Sequence, residues 1–520
     1  MKATAAHPAK SPLDVATLDQ ASSVLRAHPG VHDVAVYRQS DNSIVGFVVP
    51  KDNYVEEVLG GKEAANSLIR RWRKTYDLSQ LTKAAAASSF AFNIAGWNSS
   101  YTRQPLPAED MQEWVQTTVD RIATLAPTEV LEIGCGTGLL LLRLAPYCKR
   151  YVGSDFAGSV IRNLKRQLIE ARDLSSKVEV LERWADDFEG LAPHSLSTVI
   201  LNSSAQYFPS RSYLERVIKD AVRVVRPGGH IFIGDMRNFV LRYAQAASIE
   251  CFQAGPELKM SDLRERIERR VHQEHELVPS PAYFLSLSRQ LPQVFRVDIY
   301  PRRGFCDNEM TRFRFDAVFW IGEKLRSTAI EFLDRPDRGW DLQQISSLLA
   351  GQKKTHIGLA QIPNARVERD VKLCERLSAA DPNQSFSDLR NEIGEQTLQG
   401  IHPEELFRVA AQSGYRVALS WSACYPDGSY DAAFLRKWEG EAFPRIDWPQ
   451  PPAQSFVQFS SMPAQSAVHD KLVGELISHC RAKLPSNAVP RHVCLVDSIA
   501  YREGQIVDYD ALLSATRLPR

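Results

Sequence analysis

A glycine-rich run at residues 130–139, Val-Leu-Glu-Ile-Gly-Cys-Gly-Thr-Gly-Leu, constrains the fold of this chain more than any other feature. It is typical of a strand, a tight turn and a helix start, and Asp155 follows at the end of a second apolar stretch. Gly134, Gly136 and Gly138 permit positive φ and a close approach of backbone to a ligand. A dinucleotide turn needs Gly-x-Gly-x-x-Gly, whereas here the third glycine comes one residue early. The pattern predicts a nucleoside site at the edge of a parallel sheet, with a ligand other than NAD.

Length and composition narrow the class of protein. A chain of 520 residues predicts two or three domains, because single cores rarely grow past about 250–300 residues. The formal net charge of +1 gives no field for nucleic acid or an anionic membrane. Eight cysteines lie scattered, without a metal-site or disulfide pattern. With neither a membrane-length apolar run nor a signal peptide, we expect a reduced, cytoplasmic protein that binds no metal, nucleic acid or membrane.

Both ends of the chain carry short α/β patterns. Residues 18–28 predict an amphipathic helix, and residues 31–37 and 44–49 predict two strands joined by a polar turn. Near the other end, apolar residues at helical spacing from 472 to 480 predict a helix, and residues 493–496 predict a strand. Neither end is long enough to bury a core alone. We therefore expect the two ends to form one small α/β domain, with the central part of the chain inserted between its two halves.

The central part of the chain predicts a parallel sheet. After the strand of the glycine run, further strands are expected at residues 151–154, 178–181, 198–201 and 231–233, separated by helices. In open α/β sheets the ligand lies beyond the carboxyl ends of the strands. Polar side chains follow these predicted strands, among them Asp155, Asp186, Asn202, Ser203, Tyr207 and Arg237.

Short strings throughout residues 65–440 resemble the N-methyltransferase domains embedded in the adenylation domains of nonribosomal peptide synthetases. The matching strings lie at residues 96–101, 131–141, 151–155, 185–188, 202–209, 226–229, 234–237, 274–277, 308–309 and 312–316. The resemblance implies an α/β fold of the class I S-adenosylmethionine-dependent methyltransferases, a Rossmann-like sheet with helices on both faces. The sheet core would span residues 115–325, and a C-terminal extension would span residues 326–440.

The two ends, residues 1–60 and 456–520, resemble the halves of the small α+β C-terminal subdomain of amino-acid-adenylating domains, and residues 443–455 are expected to be a proline-rich linker. In that family a Gly-Lys pair delivers a lysine to the acyl-adenylate, whereas this chain has Gly504-Gln505. Because glutamine carries no cation and the large ATP-binding subdomain is missing, no adenylation is expected. The ends would either dock to a synthetase or carrier domain, or remain as a non-catalytic remnant.

The resemblance also implies a set of residues that bind S-adenosylmethionine. They are Glu132, Gly134, Cys135, Gly136, Asp155, Phe156, Asp186, Asn202, Ser203 and Tyr101. Asp155 would accept the ribose hydroxyls, while Phe156 and Asp186 would frame the adenine. Asn202 and Ser203 would close the pocket near the sulfonium. Tyr101 lies where this fold has a lid, and it is equally compatible with simple packing.

The expected chemistry calls for a base, because an amine must lose a proton before it attacks a methyl group. The catalytic candidates are Glu276, Glu274, Tyr207, Arg237, Asn308 and Glu309. Glu276 and Glu274 are the first choices as proton acceptor, unless they belong to a solvated helix face. Tyr207 and Arg237 would orient a substrate carbonyl, although Arg237 could instead pair with Asp235.

One candidate position has an alternative structural role, and two other positions depart from the family pattern. Asp187 could cap a helix. Ser280 stands where the family usually has aspartate, and Phe315 where tyrosine is common. These two departures concern the side of the site that would hold the methyl acceptor.

The function implied first is N-methylation of an α-amino group on an aminoacyl or peptidyl thioester. A carrier protein or synthetase would present it in trans, because no carrier or condensation sequence is recognised in the chain. The substrate would thus be a small amine or amino acid. A second possibility is a cyclase that turns the α-amine of S-adenosylmethionine onto its own γ-carbon, giving azetidine-2-carboxylate and methylthioadenosine. A third is a non-catalytic synthetase adaptor.

Overall fold

A computed structural model describes most of the chain. The described residues are 12–39, 43–51, 54, 92–94, 96–171, 173–255, 257–322, 327–328, 330–337, 339–351, 355–381, 384–394, 398–436, 445–450, 465–496, 499, 501–502, 506–509 and 512. The Gly504-Gln505 pair and most of the linker predicted at 443–455 lie outside them. Within the described part, no helix has both the length and the apolar character needed to cross a membrane.

Helices and strands alternate along most of the described chain. In chain order, the helices are α1 (Pro12–Arg26), α2 (Ala108–Ala123), α3 (Leu141–Leu144), α4 (Gly158–Glu170), α5 (Arg211–Val224), α6 (Arg242–Gln253), α7 (Met260–His272), α8 (Pro281–Gln290), α9 (Glu309–Arg312), α10 (Leu342–Gly351), α11 (Glu368–Ala379), α12 (Phe386–Gly394), α13 (Pro403–Gln412) and α14 (Gln465–Lys483). The strands are β1 (Val31–Arg38), β2 (Ile44–Pro50), β3 (Glu129–Ile133), β4 (Arg150–Asp155), β5 (Val178–Glu182), β6 (Leu196–Asn202), β7 (Val225–Arg237), β8 (Val294–Pro301), β9 (Arg314–Ile321), β10 (Ser327–Thr328), β11 (Phe332–Leu333), β12 (His356–Ile362), β13 (Tyr415–Ser420), β14 (Tyr430–Arg436), β15 (Arg445–Ile446), β16 (His492–Leu495), β17 (Tyr501–Arg502) and β18 (Ile506–Val507).

The chain divides into two compact units. One, the terminal unit, combines Met1–Leu68 with Ala464–Arg520, and the other, the central unit, is Ile69–Pro463. In the terminal unit β1 pairs antiparallel with β2, and β16, from the other end of the chain, pairs parallel with β2. Leu25 of α1 and Leu476 of α14 pack with Val48 of β2 into one core. Both ends of the chain therefore contribute to the same small sheet.

The central unit is built on a seven-stranded sheet in the order β5-β4-β3-β6-β7-β9-β8. The first five strands in this order are parallel, whereas β9 runs antiparallel to both of its neighbours. The five parallel strands agree with the predicted sheet, but the antiparallel β9 was not predicted from the pattern. Its partners lie far away in the sequence, so local alternation does not reveal its direction.

Helices cover both faces of this sheet. Along β3, Val130 belongs to one apolar core, while Leu131 and Ile133 belong to another, because successive side chains of a strand point to opposite faces. The first core contains side chains of α2 and α4, and the second contains side chains of α5 and α8. The second core continues into a further sheet, β11-β12-β14-β13, formed by the C-terminal part of the unit. This arrangement leaves the carboxyl ends of β3 to β7 at a common edge.

Candidate functional site

Backbone hydrogen bonds hold the glycine turn after β3. The N–H groups of Gly134 and Cys135 both donate to the carbonyl oxygen of Ser154 in β4, at 2.7 and 3.0 Å. Gly134 has a φ of +76°, and a Cβ at this position would lie 2.6 Å from the Cβ of Ser204. Glycine meets both conditions without strain. The turn is therefore fixed by its backbone, and the role of Cys135 in it is a backbone role.

Asp155 ends β4 beside this turn. Its Oδ2 accepts the N–H of Gly136 at 3.0 Å, and its Oδ1 accepts the N–H of Ala157 at 2.9 Å. These two bonds fix the orientation of the buried carboxylate. Because a carboxylate offers about four lone-pair sites, it can also accept ribose hydroxyls in this position.

Aromatic and acidic side chains follow β4 and β5. The rings of Phe156 and Trp184 lie parallel, with centroids 5.8 Å apart and an interplanar angle of 5°. Asp186 is exposed, and its Oδ1 accepts the hydroxyl of Tyr213 in α5 at 2.9 Å. The structure thus brings Phe156 next to an aromatic side chain, Trp184, for which the sequence suggested no role.

Asn202, the last residue of β6, has a buried side chain with one unused acceptor. Its Nδ2 donates to Ser203 Oγ at 3.3 Å, but its Oδ1 has no hydrogen-bond partner in the described part of the chain. A Cβ at Gly234 in β7 would come within 2.3 Å of this oxygen, so the glycine leaves room for the amide. A buried unpaired acceptor is costly, so it indicates a place for a hydrogen-bond donor of a ligand.

These residues form one part of the site. We call it the glycine-turn region, and it comprises residues 134–138, Asp155, Phe156, Asn202 and Ser203. Glu132 lies beneath it in β3 and is buried. Burial raises the pKa of Glu132 to about 8, although the Tyr151 hydroxyl, which donates to its Oε2 at 2.8 Å, opposes this shift. Glu132 is therefore largely neutral near pH 7. Its hydrogen bond with Tyr151 joins β3 to β4 next to the glycine turn.

A second set of polar residues lies near the carboxyl ends of β6 and β7 and at the start of the antiparallel strand β9. Arg314 Nη1 donates to Asp235 Oδ2 at 2.5 Å. Burial lowers the pKa of Arg314, but the negative charges of Asp235, Glu276 and Glu309 outweigh this effect and raise the pKa above its ordinary value. Arg314 thus lies among several carboxylates that approach it from different elements.

Arg237, at the end of β7, holds the segment that follows α7. Its Nη1 lies 2.6 Å from Glu274 Oε2 and 3.2 Å from Glu276 Oε2. The Oε1 of Glu274 also accepts the N–H groups of His275 and Glu276, both at 2.9 Å. Glu274 therefore closes a turn, which leaves Glu276 as the better placed proton acceptor of the two.

Two alternatives considered for these residues are wrong. The helix α7 ends at His272, so Glu274 and Glu276 do not lie on a solvated helix face. Arg237 does not pair with Asp235, because the carboxylate of Asp235 is held by Arg314 and other donors while Arg237 pairs with the two glutamates.

Tyr207 lies in a short helical turn after β6. Its side chain is 42% exposed, yet burial of the hydroxyl and the nearby charge of Glu276 raise its pKa. The hydroxyl is therefore a hydrogen-bond donor at neutral pH. We call the following set the charged cluster: Tyr207, Asp235, Arg237, Glu274, Glu276, Glu309 and Arg314.

Asn308 and Glu309 take part mainly in fold contacts. Asn308 caps α9, since its Oδ1 accepts the N–H of Met310 at 2.9 Å while its Nδ2 donates to Asp110 Oδ2 at 2.8 Å. Both oxygens of buried Glu309 accept the Ser100 N–H at 3.2 Å. Asn308 thus caps α9, and the catalytic role expected for it stays a prediction. Glu309 adds only its charge to the cluster.

Tyr101 packs on α6. Its hydroxyl donates to Ser248 Oγ at 3.1 Å, and its ring meets that of Phe252 edge-on, with centroids 5.5 Å apart. Burial raises the pKa of Tyr101 to about 12. These contacts support the packing alternative and give no direct contact with the glycine turn.

The positions that depart from the family pattern have structural roles. Ser280 caps α8, where its Oγ accepts the Tyr283 N–H at 3.2 Å. Phe315 is fully buried in the apolar core. Asp187 accepts the N–H of Glu189 at 3.0 Å within a turn, so it does not head a helix. Ser280 and Phe315 therefore both have roles in the fold.

Sequence reasoning missed Arg314 as a site residue. In β9, Arg314 and Asp316 alternate with the buried Phe315, and all three precede an apolar run. Charged residues that alternate with apolar ones near the start of a buried strand indicate a polar patch at the edge of the sheet. This signal was present, but its location depends on the antiparallel pairing of β9.

Comparisons with known proteins agree with this geometry. A family model described as a methyltransferase domain matches residues 131–233, which run from within β3 to within β7 and include the glycine turn. The chain is 35% identical over 493 residues to a chondramide synthase of Chondromyces crocatus, covering 91% of this chain and 12% of the synthase. It is 26% identical over 532 residues to a nonribosomal peptide synthetase of Alternaria alternata, covering 96% of this chain and 10% of the synthetase. The chain carries a methyltransferase domain of the kind associated with nonribosomal peptide synthetases. It spans only a small part of these relatives.

The central unit of this methyltransferase has the class I fold, and its cofactor is S-adenosylmethionine. The residues present fit this cofactor, since the unpaired Oδ1 of Asn202 offers a buried acceptor beside the glycine turn. Asp155 would hold the ribose, and Phe156 and Asp186 would lie towards the adenine. When bound, the cofactor supplies a methyl group already activated by a sulfonium.

Proposed function

We propose that this domain N-methylates the α-amino group of an aminoacyl or peptidyl thioester held by a carrier protein. The observation that carries the proposal is the composition of the charged cluster. Its four carboxylates, Asp235, Glu274, Glu276 and Glu309, accompany only two guanidinium groups, those of Arg237 and Arg314. An excess of negative charge favours a cationic acceptor such as an α-ammonium group.

The cluster also provides a proton acceptor for such a substrate. The ammonium group must lose a proton before its nitrogen can attack, and Glu276 is a partly exposed carboxylate that can take it. Glu276 would thereby leave the nitrogen lone pair free to accept the activated methyl group that bound S-adenosylmethionine would supply. Tyr207, as a protonated donor, and Arg237 would orient the thioester carbonyl. Most of the rate enhancement would come from alignment, which can contribute about 7–11 kcal/mol.

The relatives support a carrier-bound substrate. The relative from Alternaria alternata is named as a nonribosomal peptide synthetase, and the proposal brings that kind of substrate to this domain. The terminal unit would serve as the docking surface towards a synthetase or carrier, and its two halves would correspond to the remnant of an adenylation subdomain.

The decisive experiment supplies S-adenosylmethionine with a separate carrier protein loaded with an amino acid through phosphopantetheine. We expect S-adenosylhomocysteine and an N-methylated aminoacyl carrier, detected by mass spectrometry. The matched control is the same carrier with an N-acetylated amino acid, which lacks the nucleophilic amine and should give no product. A free amino acid tests whether the carrier is needed. Methylthioadenosine formed from S-adenosylmethionine alone would overturn the proposal and establish the cyclase reaction instead.

A further inference from the structure

Two residues at the ends of adjacent strands have an unusual backbone conformation. Ser203, after β6, has a φ of +53°, and Asp235, in β7, has a φ of +63°. Residues other than glycine rarely adopt this region, and those that do concentrate at functional sites. The two residues are bonded to each other, because Ser203 Oγ donates to Asp235 Oδ2 at 2.6 Å.

Asp235 is completely buried, and its carboxylate accepts from three different elements. Besides Ser203, the donors are Arg314 Nη1 in β9, at 2.5 Å, and Trp114 Nε1 in α2, at 3.0 Å. The backbone N–H of Asp235 donates to Asp316 Oδ1 at 2.9 Å. Both the carboxylate and the backbone N–H of Asp235 are therefore hydrogen-bonded to neighbouring elements.

This carboxylate touches both parts of the site. Ser203 belongs to the glycine-turn region and directly follows Asn202, whose Oδ1 is unpaired. Arg314 belongs to the charged cluster, and its Nε is also buried and unpaired in the described part of the chain. Ser203 and Arg314 both donate to Oδ2 of Asp235, so this one oxygen joins the two parts of the site.

We propose that Asp235 is a positioning residue that couples the cofactor side to the acceptor side through the bridge Ser203–Asp235–Arg314. Occupation of the glycine-turn region would fix Ser203 and, through Asp235, the direction of the Arg314 guanidinium. The domain would then order its acceptor side only when the cofactor is bound. The description of the charged cluster as the acceptor side rests on the proposed function. The coupling through Asp235 does not depend on it.

The test reads S-adenosylmethionine affinity alone, by calorimetry on the full chain. We expect Ser203→Ala and Asp235→Asn to weaken binding about tenfold, and Arg314→Lys about fivefold, within the usual range of site-to-site coupling. Asparagine tolerates the conformation of residue 235. The matched control is Arg296→Lys, which alters a largely buried arginine of β8 that pairs with Asp298 rather than Asp235, and it should change affinity less than twofold.

Non-additivity supplies the second criterion. The double variant of Asp235→Asn with Arg314→Lys should bind as tightly as Asp235→Asn alone, because the bridge is already broken. If Arg314→Lys weakens binding no more than Arg296→Lys, or if the effects of Asp235→Asn and Arg314→Lys multiply, the coupling is refuted. Should Asp235→Asn fail to fold in a thermal unfolding assay, the cycle of Ser203→Ala and Arg314→Lys decides, since multiplying effects would refute the bridge and non-additive ones would support it.

This experiment stays informative if the proposed function fails. A chain that binds S-adenosylmethionine but methylates no amine would refute N-methylation. The affinities would still decide the coupling, since they need no acceptor.

Discussion

The glycine-turn region and the charged cluster lie at the same edge of the sheet, but they are built in different ways. In the glycine-turn region, many contacts are made between backbone groups, as in the bonds from the Gly134 and Cys135 N–H groups to the carbonyl oxygen of Ser154. In the charged cluster, side chains make the contacts, and they join residues 79 apart in Arg314 and Asp235 and 39 apart in Arg237 and Glu276.

This difference indicates how each region should respond to substitution. Backbone bonds survive most side-chain changes, so the glycine-turn region should tolerate substitution wherever φ and space allow. Ion pairs depend on both partners, and removing one leaves the other buried and uncompensated. We therefore expect the largest functional effects in the charged cluster.

The strongest test replaces the proton acceptor. Glu276→Gln should lower turnover by about 10²–10⁴-fold, because general-base catalysis is lost. Cofactor affinity should remain, as measured by calorimetry beside the methyl-transfer rate. The matched control is Glu274→Gln, in which the amide oxygen can still accept the two turn N–H groups, and its rate should fall less than about tenfold. Equal losses in both variants would contradict the assignment of Glu276.

A second test concerns the buried acid beneath the glycine turn. The pKa of Glu132 is raised by burial to about 8, so the folded state keeps a proton that the unfolded chain loses at a lower pH. The free energy of unfolding should therefore fall as pH rises from about 5 to about 8, by at most about 1.4 kcal/mol per pH unit. Glu132→Gln should show a smaller fall, because its amide does not titrate in this range and can still accept from Tyr151. Urea unfolding of both proteins across this range checks it, and identical pH dependence would disprove the buried neutral acid.

The ribose contact should show an intermediate effect. Asp155→Ala leaves hydroxyls of the cofactor unpaired and should cost about 1–3 kcal/mol of S-adenosylmethionine affinity. Asp155→Asn, which keeps one acceptor oxygen, should lose less. If calorimetry found the alanine variant as tight as the parent, Asp155 would not be the ribose acceptor. A loss in thermal stability of the same variants would report the Gly136 and Ala157 bonds separately.

The smallest effect is expected at Ser280, where the family pattern suggested a missing carboxylate. Ser280→Ala should destabilise the protein by about 1 kcal/mol through loss of the helix cap. Ser280→Asp should restore that stability, since aspartate caps equally well, without changing the rate of methyl transfer. A faster rate in the aspartate variant would show that a carboxylate at this position joins the charged cluster after all.

The sequence was sufficient for the glycine-turn region and for five parallel strands. Apolar runs, glycine positions and an acid at a strand end are local signals, and the parallel sheet carries these residues to one edge by its geometry alone. The class I fold, the cofactor and the link to peptide synthetases were predicted from the resemblance of residues 130–155 and the strings around them to a known family.

Only the tertiary structure decided the partners within the charged cluster. The antiparallel pairing of β9 with β7 places Arg314 opposite Arg237 and within reach of Asp235, and no local pattern predicts this register. For the same reason the sequence could not separate Glu274, which closes a turn, from Glu276, or show that Asn308 and Ser280 are helix caps. Periodicity determines which residues share a face of one element, whereas contacts between distant elements depend on how the whole chain packs.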